Sequence, residues 1–247
     1  MKAAPDDQLR LLDLQELDSA LDRLAHRRRT LPEIEAIEVL DHKVTQLAGD
    51  IVLVETEDSD LGREQSKLEA DIDLVRTRMQ KDQQRLDAGQ VSSPRELENL
   101  QSEIESLKRR QSDLEDEELE IMEKREVVQT RLQELRDERE QAAATLSETE
   151  ERRDTAFAEI DADHDKTAQQ RGELAGALPD DLLALYEKVR ASSAGVGAAA
   201  LHRGRCEGCH LQLNTTDLNH LREAPEDDVV RCEECRRILV RTAESGL

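Results

Sequence analysis

An apolar heptad repeat constrains this fold more than any other feature of the sequence. Its positions run from Ile37 to Leu86 at alternating spacings of three and four residues, and only Asp58, Gln65 and Asp82 among them are polar. A second series with the same spacing begins at Leu97 and fades after Leu146. Repeats sustained over this length are typical of coiled coils. The sequence therefore predicts two long helices that meet along apolar seams.

The segment between the two repeats predicts that the helices form an antiparallel hairpin. Gly89 can end the first helix in a left-handed turn, and Ser93-Pro94-Arg95-Glu96 resembles a capping box with proline at the first helical position. So short a connection makes neighbouring helices antiparallel. Folding about residue 91 sets Asp58 opposite Arg125, and we expect this pair to fix the register of the seams. Pro32 should kink or restart the first helix.

Composition excludes several other folds. Of the 247 residues, 38% are charged and 1% are aromatic, so the bulk that fills a large enzyme core is missing. No nucleophile motif, phosphate loop or open metal site is evident, and we expect no enzyme. Net charge is −23, and residues 1–180 hold 26 basic and 47 acidic residues. This long acidic part should be repelled by nucleic acid.

Sequence features also bear on localisation. The longest stretch without Asp, Glu, Lys or Arg is 191–202, too short for a membrane span of roughly 18–20 residues. The opening residues MKAAPDDQLR lack the apolar region of a signal peptide. We therefore expect a cytoplasmic protein, in which cysteines serve as metal ligands before they form disulfides.

Four cysteines near the end of the chain predict a structural metal site. Cys206-Glu-Gly-Cys209 and Cys232-Glu-Glu-Cys235 are two C-x2-C pairs separated by 22 residues. Two such turns can close a tetrahedron of thiolates around one Zn²⁺, with no position left for water or substrate. Disulfides and an iron–sulfur centre stay open as alternatives. Because residues 201–247 contain no aromatic residue, zinc should supply much of the folding free energy of this segment.

The predicted organisation has three parts. Residues 1–178 form the hairpin, with its turn at 88–94 and a kink near 32. Residues 179–200 connect it to the ribbon through an amphipathic helix over 181–190 and a flexible Ala/Gly/Ser-rich linker. Residues 201–247 form a small C4 zinc ribbon of β structure. The fold class is thus mainly α, a long antiparallel coiled-coil hairpin followed by a zinc ribbon.

Several motifs resemble those of a known family, the bacterial C4-type zinc-ribbon proteins with an N-terminal coiled-coil hairpin. The resemblance covers most of the chain and is most specific in the ribbon. It is carried by Ser93-Pro94-Arg95-Glu96-Leu97-Glu98, Leu114-Glu115-Asp116-Glu117, Leu185-Tyr186, Cys206-Glu-Gly-Cys209 and Cys232-Glu-Glu-Cys235-Arg236-Arg237-Ile238-Leu239. One departure concerns Arg236, because the family usually has glycine after its last cysteine.

The resemblance implies a kinked hairpin with a zinc ribbon at its open end and no enzymatic activity. It also implies nucleic-acid binding, sigma-factor binding or chaperone-like regulation of flagellar or secretion systems. We expect an adaptor or chaperone-like regulator that binds protein partners and is linked to transcription or translation, as a monomer or a dimer. The alternative is direct binding of RNA or DNA through the ribbon. Its candidate contacts are Arg203, Arg205, Arg231, Arg236, Arg237 and Arg241.

Overall fold

The computed structural model describes all residues of the chain, 1–247. Five helices and four short strands follow one another, and the chain divides into two compact units. One unit comprises Met1–Ile34 with Glu151–Leu247, and the other comprises Glu35–Glu150. The elements are α1 (Pro5–Arg29), α2 (Pro32–Asp87), α3 (Pro94–Gly176), α4 (Asp180–Ser192), β1 (Ala198–His202), β2 (Arg205–Cys206), α5 (Thr215–Glu223), β3 (Val230–Arg231) and β4 (Ile238–Val240).

Local sequence sets the turn between α2 and α3. Gly89 takes a φ of 62°, and the N–H of Gln90 donates to the Arg85 carbonyl at 3.1 Å. This is the left-handed C-cap expected of glycine. Ser93 Oγ accepts the N–H of Glu96 at 3.2 Å. The Glu96 carboxylate accepts from the N–H and hydroxyl of Ser92, one residue earlier than a capping box requires.

The unit Glu35–Glu150 confirms the predicted antiparallel pairing of the seams. Apolar side chains from both helices form one buried cluster in which Leu47 and Ile51 of α2 join Leu132 and Leu135 of α3. The predicted ion pair is also present, with Arg125 Nε donating to Asp58 Oδ1 at 3.0 Å. Arg125 additionally donates to Gln65, the next polar residue along the seam of α2. Three polar seam residues, Asp58 and Gln65 of α2 and Arg125 of α3, therefore meet each other.

Prolines divide the helices of the other unit. α1 ends at Arg29 and α2 begins at Pro32, while Pro179 directly precedes α4. A proline disfavours helical backbone at the residue before it. The apolar cluster of this unit combines residues of α1, α4, the end of α3 and the sheet. Its buried members are Ala3, Leu11, Leu14, Ala175, Leu178, Leu182, Tyr186, Val189, Ala198, Ile238 and Val240.

The four strands form one sheet in the order β2-β1-β4-β3. At its centre β1 runs parallel to β4, with Ala198 paired to Ile238 and Ala200 to Val240. The outer strands are antiparallel to their neighbours. Side chains alternate between the two faces of a strand. Ile238 and Val240 accordingly pack on the helices, whereas Leu239 packs with the cysteines on the opposite face.

The structure differs from the flexible linker that the sequence predicts before the ribbon. Ala198 and Ala199 are buried in β1, so the sheet begins inside the Ala/Gly/Ser-rich segment. Small residues are required there by close packing. A Cβ added at Gly197 would lie 2.7 Å from the Tyr186 ring and 2.9 Å from the Tyr186 carbonyl. Glycine at position 197 is therefore required by packing and does not indicate a flexible linker.

Candidate metal centre and ribbon surface

Two turns of similar geometry present the four cysteines. In the first turn the N–H of His210 donates to the Cys206 carbonyl at 2.8 Å, and in the second the N–H of Arg236 donates to the Cys232 carbonyl at 2.9 Å. The residue after each second cysteine is left-handed, with a φ of 61° at His210 and 63° at Arg236. Both side chains carry a Cβ, so each turn costs on the order of 1 kcal/mol relative to glycine.

The sulfur atoms lie where a tetrahedral metal site needs them. All four Sγ atoms are within 4.8 Å of one another. The Sγ atoms of Cys206 and Cys235 are 3.9 Å apart, as are those of Cys209 and Cys232. Tetrahedral Zn–S bonds of about 2.3 Å place sulfurs about 3.8 Å apart, whereas a disulfide needs about 2.05 Å. This C4 ribbon therefore binds one structural zinc ion, and its four thiolates complete the coordination shell.

Burial and hydrogen bonding act in opposite directions on these sulfurs. Burial raises the pKa of Cys206 to about 12 and also raises that of Cys232. Burial opposes ionisation of Cys235 too, but hydrogen bonds led by the backbone N–H of Arg237 outweigh it and lower its pKa. Since buried thiols resist ionisation, the positive charge of bound Zn²⁺ is needed to stabilise four thiolates together.

Arg237 joins the metal centre to the segment before β1. Its guanidinium donates to the carbonyls of Ser193 at 3.0 Å, Val196 at 3.2 Å and Gly208 at 2.9 Å. A Cβ added at Gly208 would lie 2.8 Å from Arg237 Cδ, so glycine is what lets the guanidinium approach the first cysteine turn. Arg237 thus serves as an internal clamp between the second cysteine turn, the first turn and the end of α4.

Arg241 has a similar internal role on the other side of the ribbon. Its guanidinium donates to five backbone carbonyls in the segment from the end of α5 to β3. Two of these carbonyls also have a second donor, since Pro225 accepts the N–H of Asp228 and Glu226 accepts the side-chain amide of Gln8. Arg241 therefore binds the end of α5 and the turns that follow it to β4. The acceptors are Leu221, Ala224, Pro225, Glu226 and Asp228.

The other four arginines that the sequence nominates as contacts are exposed: Arg203, Arg205, Arg231 and Arg236. Arg236 forms an ion pair with Glu233 at 3.3 Å. The structure therefore leaves four of the six arginines available at the ribbon surface and turns two inward. Exposed glutamates at positions 207, 233 and 234 follow the cysteines on the same two turns.

Sequence reasoning missed a buried polar network that α1 supplies to the sheet. Gln15 Oε1 accepts the N–H of Gly197 at 2.6 Å, and its amide nitrogen donates to the Gly195 carbonyl at 3.0 Å. Asp18 accepts the Tyr186 hydroxyl at 2.7 Å and Arg171 Nε at 3.0 Å. Burial, followed by the Asp18 interaction, raises the pKa of Tyr186. A glutamine and an aspartate within a leucine-rich helix were the available signal.

The fold and the metal centre together define a class of protein, a helical hairpin that carries a C4 zinc ribbon. Residues 14–194 match a family described as a CT398-like coiled coil hairpin domain, and residues 205–239 match a C4-type zinc ribbon domain. The chain belongs to this family. Neither domain is a known enzyme type. None of the helices combines the length and the apolar character that a membrane-spanning segment requires.

Relatives and solved structures agree with this assignment. The chain is 35% identical over 241 residues to an uncharacterized protein of Mycobacterium tuberculosis, with 98% of both chains covered. It is 30% identical over 221 residues to an uncharacterized protein of Mycobacterium leprae, covering 90% of this chain and 94% of that one. A solved structure from Mycobacterium smegmatis shares 33% identity with a TM-score of 0.82, covering 98% of this chain and all of that chain.

A more distant structure shares the fold alone. CT398 from Chlamydia trachomatis is 22% identical, with a TM-score of 0.67 over 96% of this chain and 98% of that chain.

Proposed function

We propose that this protein is a non-enzymatic adaptor or chaperone-like regulator that binds a protein partner through the outer surface of α2. A link to transcription or translation, and a place in the cytoplasm, are part of the proposal and are supported by the family resemblance and the sequence features described above. The complete thiolate shell supports a non-enzymatic role, because a catalytic zinc needs an open coordination position.

The observation that carries this proposal is a row of exposed apolar side chains on α2. Val39, Leu53 and Leu74 are 63%, 69% and 68% exposed. They lie fourteen and twenty-one residues apart and so share one heptad position, away from the seam. Val52, beside Leu53, is also more than half exposed. Their recurrence at one heptad position supports a surface for another protein along this face, because a partner would remove their apolar area from water.

Co-purification from cells with and without nuclease, at moderate salt, tests the adaptor function. We expect a partner that survives nuclease and is lost from the variant Leu53→Glu/Leu74→Glu. The matched control is Ser59→Glu/Ser66→Glu, which adds two carboxylates at exposed polar positions of the same helix. Equal loss from both variants, or no partner resistant to nuclease, would contradict the proposal.

Direct nucleic-acid binding through the ribbon is the second candidate, favoured by the exposure of Arg203, Arg205, Arg231 and Arg236. The acidic helices and the lack of aromatic side chains in residues 201–247 oppose it. Fluorescence anisotropy of labelled RNA and DNA with the full chain tests it. Affinity that falls steeply with salt and is lost in Arg205→Ala/Arg231→Ala would favour this function over the adaptor.

A further inference from the structure

A groove of 380 Å³ lies between α1 and α3, in the unit that contains the ribbon. On each helix the lining residues follow the spacing i, i+3, i+4 and i+7, so each wall of the groove is one helix face. Two helix faces with a groove between them can accept the side-chain ridge of a third helix. The lining residues are Ala20, Arg23, Leu24 and Arg27 of α1 with Asp163, Lys166, Thr167 and Gln170 of α3.

This groove is basic with an apolar floor. Arg23, Arg27 and Lys166 are exposed and form no ion pair within the chain. Their neighbour Arg28 differs, because it pairs with Asp161 at 2.8 Å and covers the Phe157 ring. Leu24 is half-buried at the floor, and Asp163 is the one acidic residue of the lining. Three unpaired cations stand together here in a chain of net charge −23.

The same chain carries a surface of the opposite character on α3, within Glu35–Glu150. Asp116, Leu119, Glu120, Glu123 and Val127 follow the spacing i, i+3, i+4, i+7 and i+11, so they share one helix face. Leu119 is 56% exposed and Val127 is 70% exposed. The three acidic residues are exposed and form no ion pair within the chain. We call this set the acidic face of α3.

We propose that the basic groove of one chain receives the acidic face of α3 from a second copy of this chain. Arg23, Arg27 and Lys166 provide the charges that complement the acidic residues of that face. Leu24 provides an apolar contact for Leu119, which is otherwise left in water. The contact joins two different surfaces. Two chains that each insert an acidic face into the other's groove form a two-fold dimer, whereas one contact between each successive pair of chains forms a head-to-tail assembly.

Nucleic acid fits the groove less well than the acidic face does. The net charge of −23 opposes approach of a polyanion, and the groove has no aromatic side chain for stacking on a base. Its leucine floor calls for an apolar contact that a phosphate backbone lacks. Because all of the proposed charge pairs are solvent-exposed, association should weaken as salt rises.

Sedimentation velocity of the full zinc-loaded chain over a series of concentrations tests the proposal. The groove variant Arg23→Glu/Arg27→Glu and the face variant Glu120→Lys/Glu123→Lys should each weaken self-association, on the order of tenfold or more, because like charges then oppose each other. Mixing the two variants should restore association, since the reversed groove complements the reversed face. Lys108→Glu/Arg109→Glu makes the same charge change as the groove variant at exposed positions elsewhere and should leave association unchanged.

Four outcomes would overturn the proposal: a wild-type chain that stays monomeric throughout, equal effects of the groove variant and the control, an unaffected groove variant, or a mixture that does not recover. Restoration in the mixture also shows that both variants fold. If the groove variant instead loses binding to labelled RNA while the wild type stays monomeric, the groove is a nucleic-acid site. The adaptor function is independent, because Leu53 and Leu74 belong to neither surface.

Discussion

The two units of this molecule are stabilised in opposite ways. In Glu35–Glu150 a repeated apolar seam and exposed ion pairs hold two helices together, and similar contacts recur along the helices. In the unit that contains the ribbon, short strands depend on a metal ion and on individual side chains such as Gln15, Arg237 and Arg241, which bond to particular backbone atoms. Stability is spread over the first unit and concentrated at a few residues in the second.

This difference teaches where a substitution will matter. A seam of many similar apolar contacts keeps most of its packing when one side chain is changed. Removal of the Arg237 clamp takes a donor from three carbonyls at once, and of these Ser193 keeps a second donor, the N–H of Val196. We therefore compare changes at residues with several specific contacts and changes at exposed or partly exposed residues, beginning with the largest expected effect.

Removal of zinc should give the largest difference in stability between the two units. Zinc contributes on the order of 10 kcal/mol to a C4 ribbon, so chelation, or Cys232→Ser, should expose the amides of residues 201–242. The helices of Glu35–Glu150 should keep their protection. Hydrogen exchange with mass spectrometry measures both in one sample. Unchanged protection of the ribbon after complete zinc removal would contradict this account.

Gly197→Ala adds a single methyl group and should clearly destabilise the folded chain. The new Cβ would meet the Tyr186 ring and carbonyl, so we expect a loss of about 1–3 kcal/mol in the free energy of unfolding. Gly49→Ala in α2 is the matched control, because nothing lies within 4 Å of its Cβ position. An exposed helical glycine changed to alanine should gain about 0.5–1 kcal/mol. Denaturant unfolding measures both, and changes of the same sign would break the comparison.

Adjacent arginines should respond in opposite directions. Arg237→Ala removes three hydrogen bonds and leaves the carbonyls of Val196 and Gly208 without a donor, so it should cost about 2–3 kcal/mol. Arg236→Gly relieves a left-handed backbone at an exposed position and should gain up to about 1 kcal/mol. Thermal unfolding of the zinc-loaded chain gives both values. If Arg237→Ala were neutral, the guanidinium would be a surface group and not a clamp.

The ion pair in the seam should give the smallest effect. Asp58→Ala should cost about 1 kcal/mol or less, because the pair is partly exposed. Hydrogen bonds from Arg125 and Gln129 hold the pKa of Asp58 below its ordinary value. Its contribution is therefore present above the unfolded-state pKa of about 3.9 and is lost as pH falls through the lower folded-state value. The free energies of unfolding of wild type and variant, measured over a pH series, should converge at low pH. A difference that stays constant with pH would count against the ion pair.

Much of the hairpin could be predicted from the sequence because its helix–helix contacts repeat with the heptad. The heptad spacing indicates which side chains face the partner helix, and the short turn indicates which residues lie opposite, so the contact of Asp58 with Arg125 could be expected. The cysteine spacing likewise defines a zinc ribbon, since few other arrangements satisfy four thiolates.

The rest depends on contacts between residues far apart in the chain. Nothing local to Arg237 distinguishes it from Arg236, and its role appears only when the segment from Ser193 to Gly208 is folded against it. Gly197 resembles part of a linker because Tyr186, which leaves no room for a Cβ there, lies in another element. Gln15 and Asp18 likewise acquire partners more than 150 residues away.

The packing of α1 on β1 and β4 has a consequence for synthesis on the ribosome. Leu11 and Leu14 leave the exit tunnel more than 200 residues before Ile238 and Val240, which share their cluster. The hairpin can close while translation continues, because its seams are complete by residue 150. The cluster around Leu11 and Leu14 of α1 stays incomplete until β4 emerges. The nascent chain is therefore most vulnerable to aggregation and chaperone capture in the interval before β4 emerges, and slow elongation through the ribbon would prolong that interval.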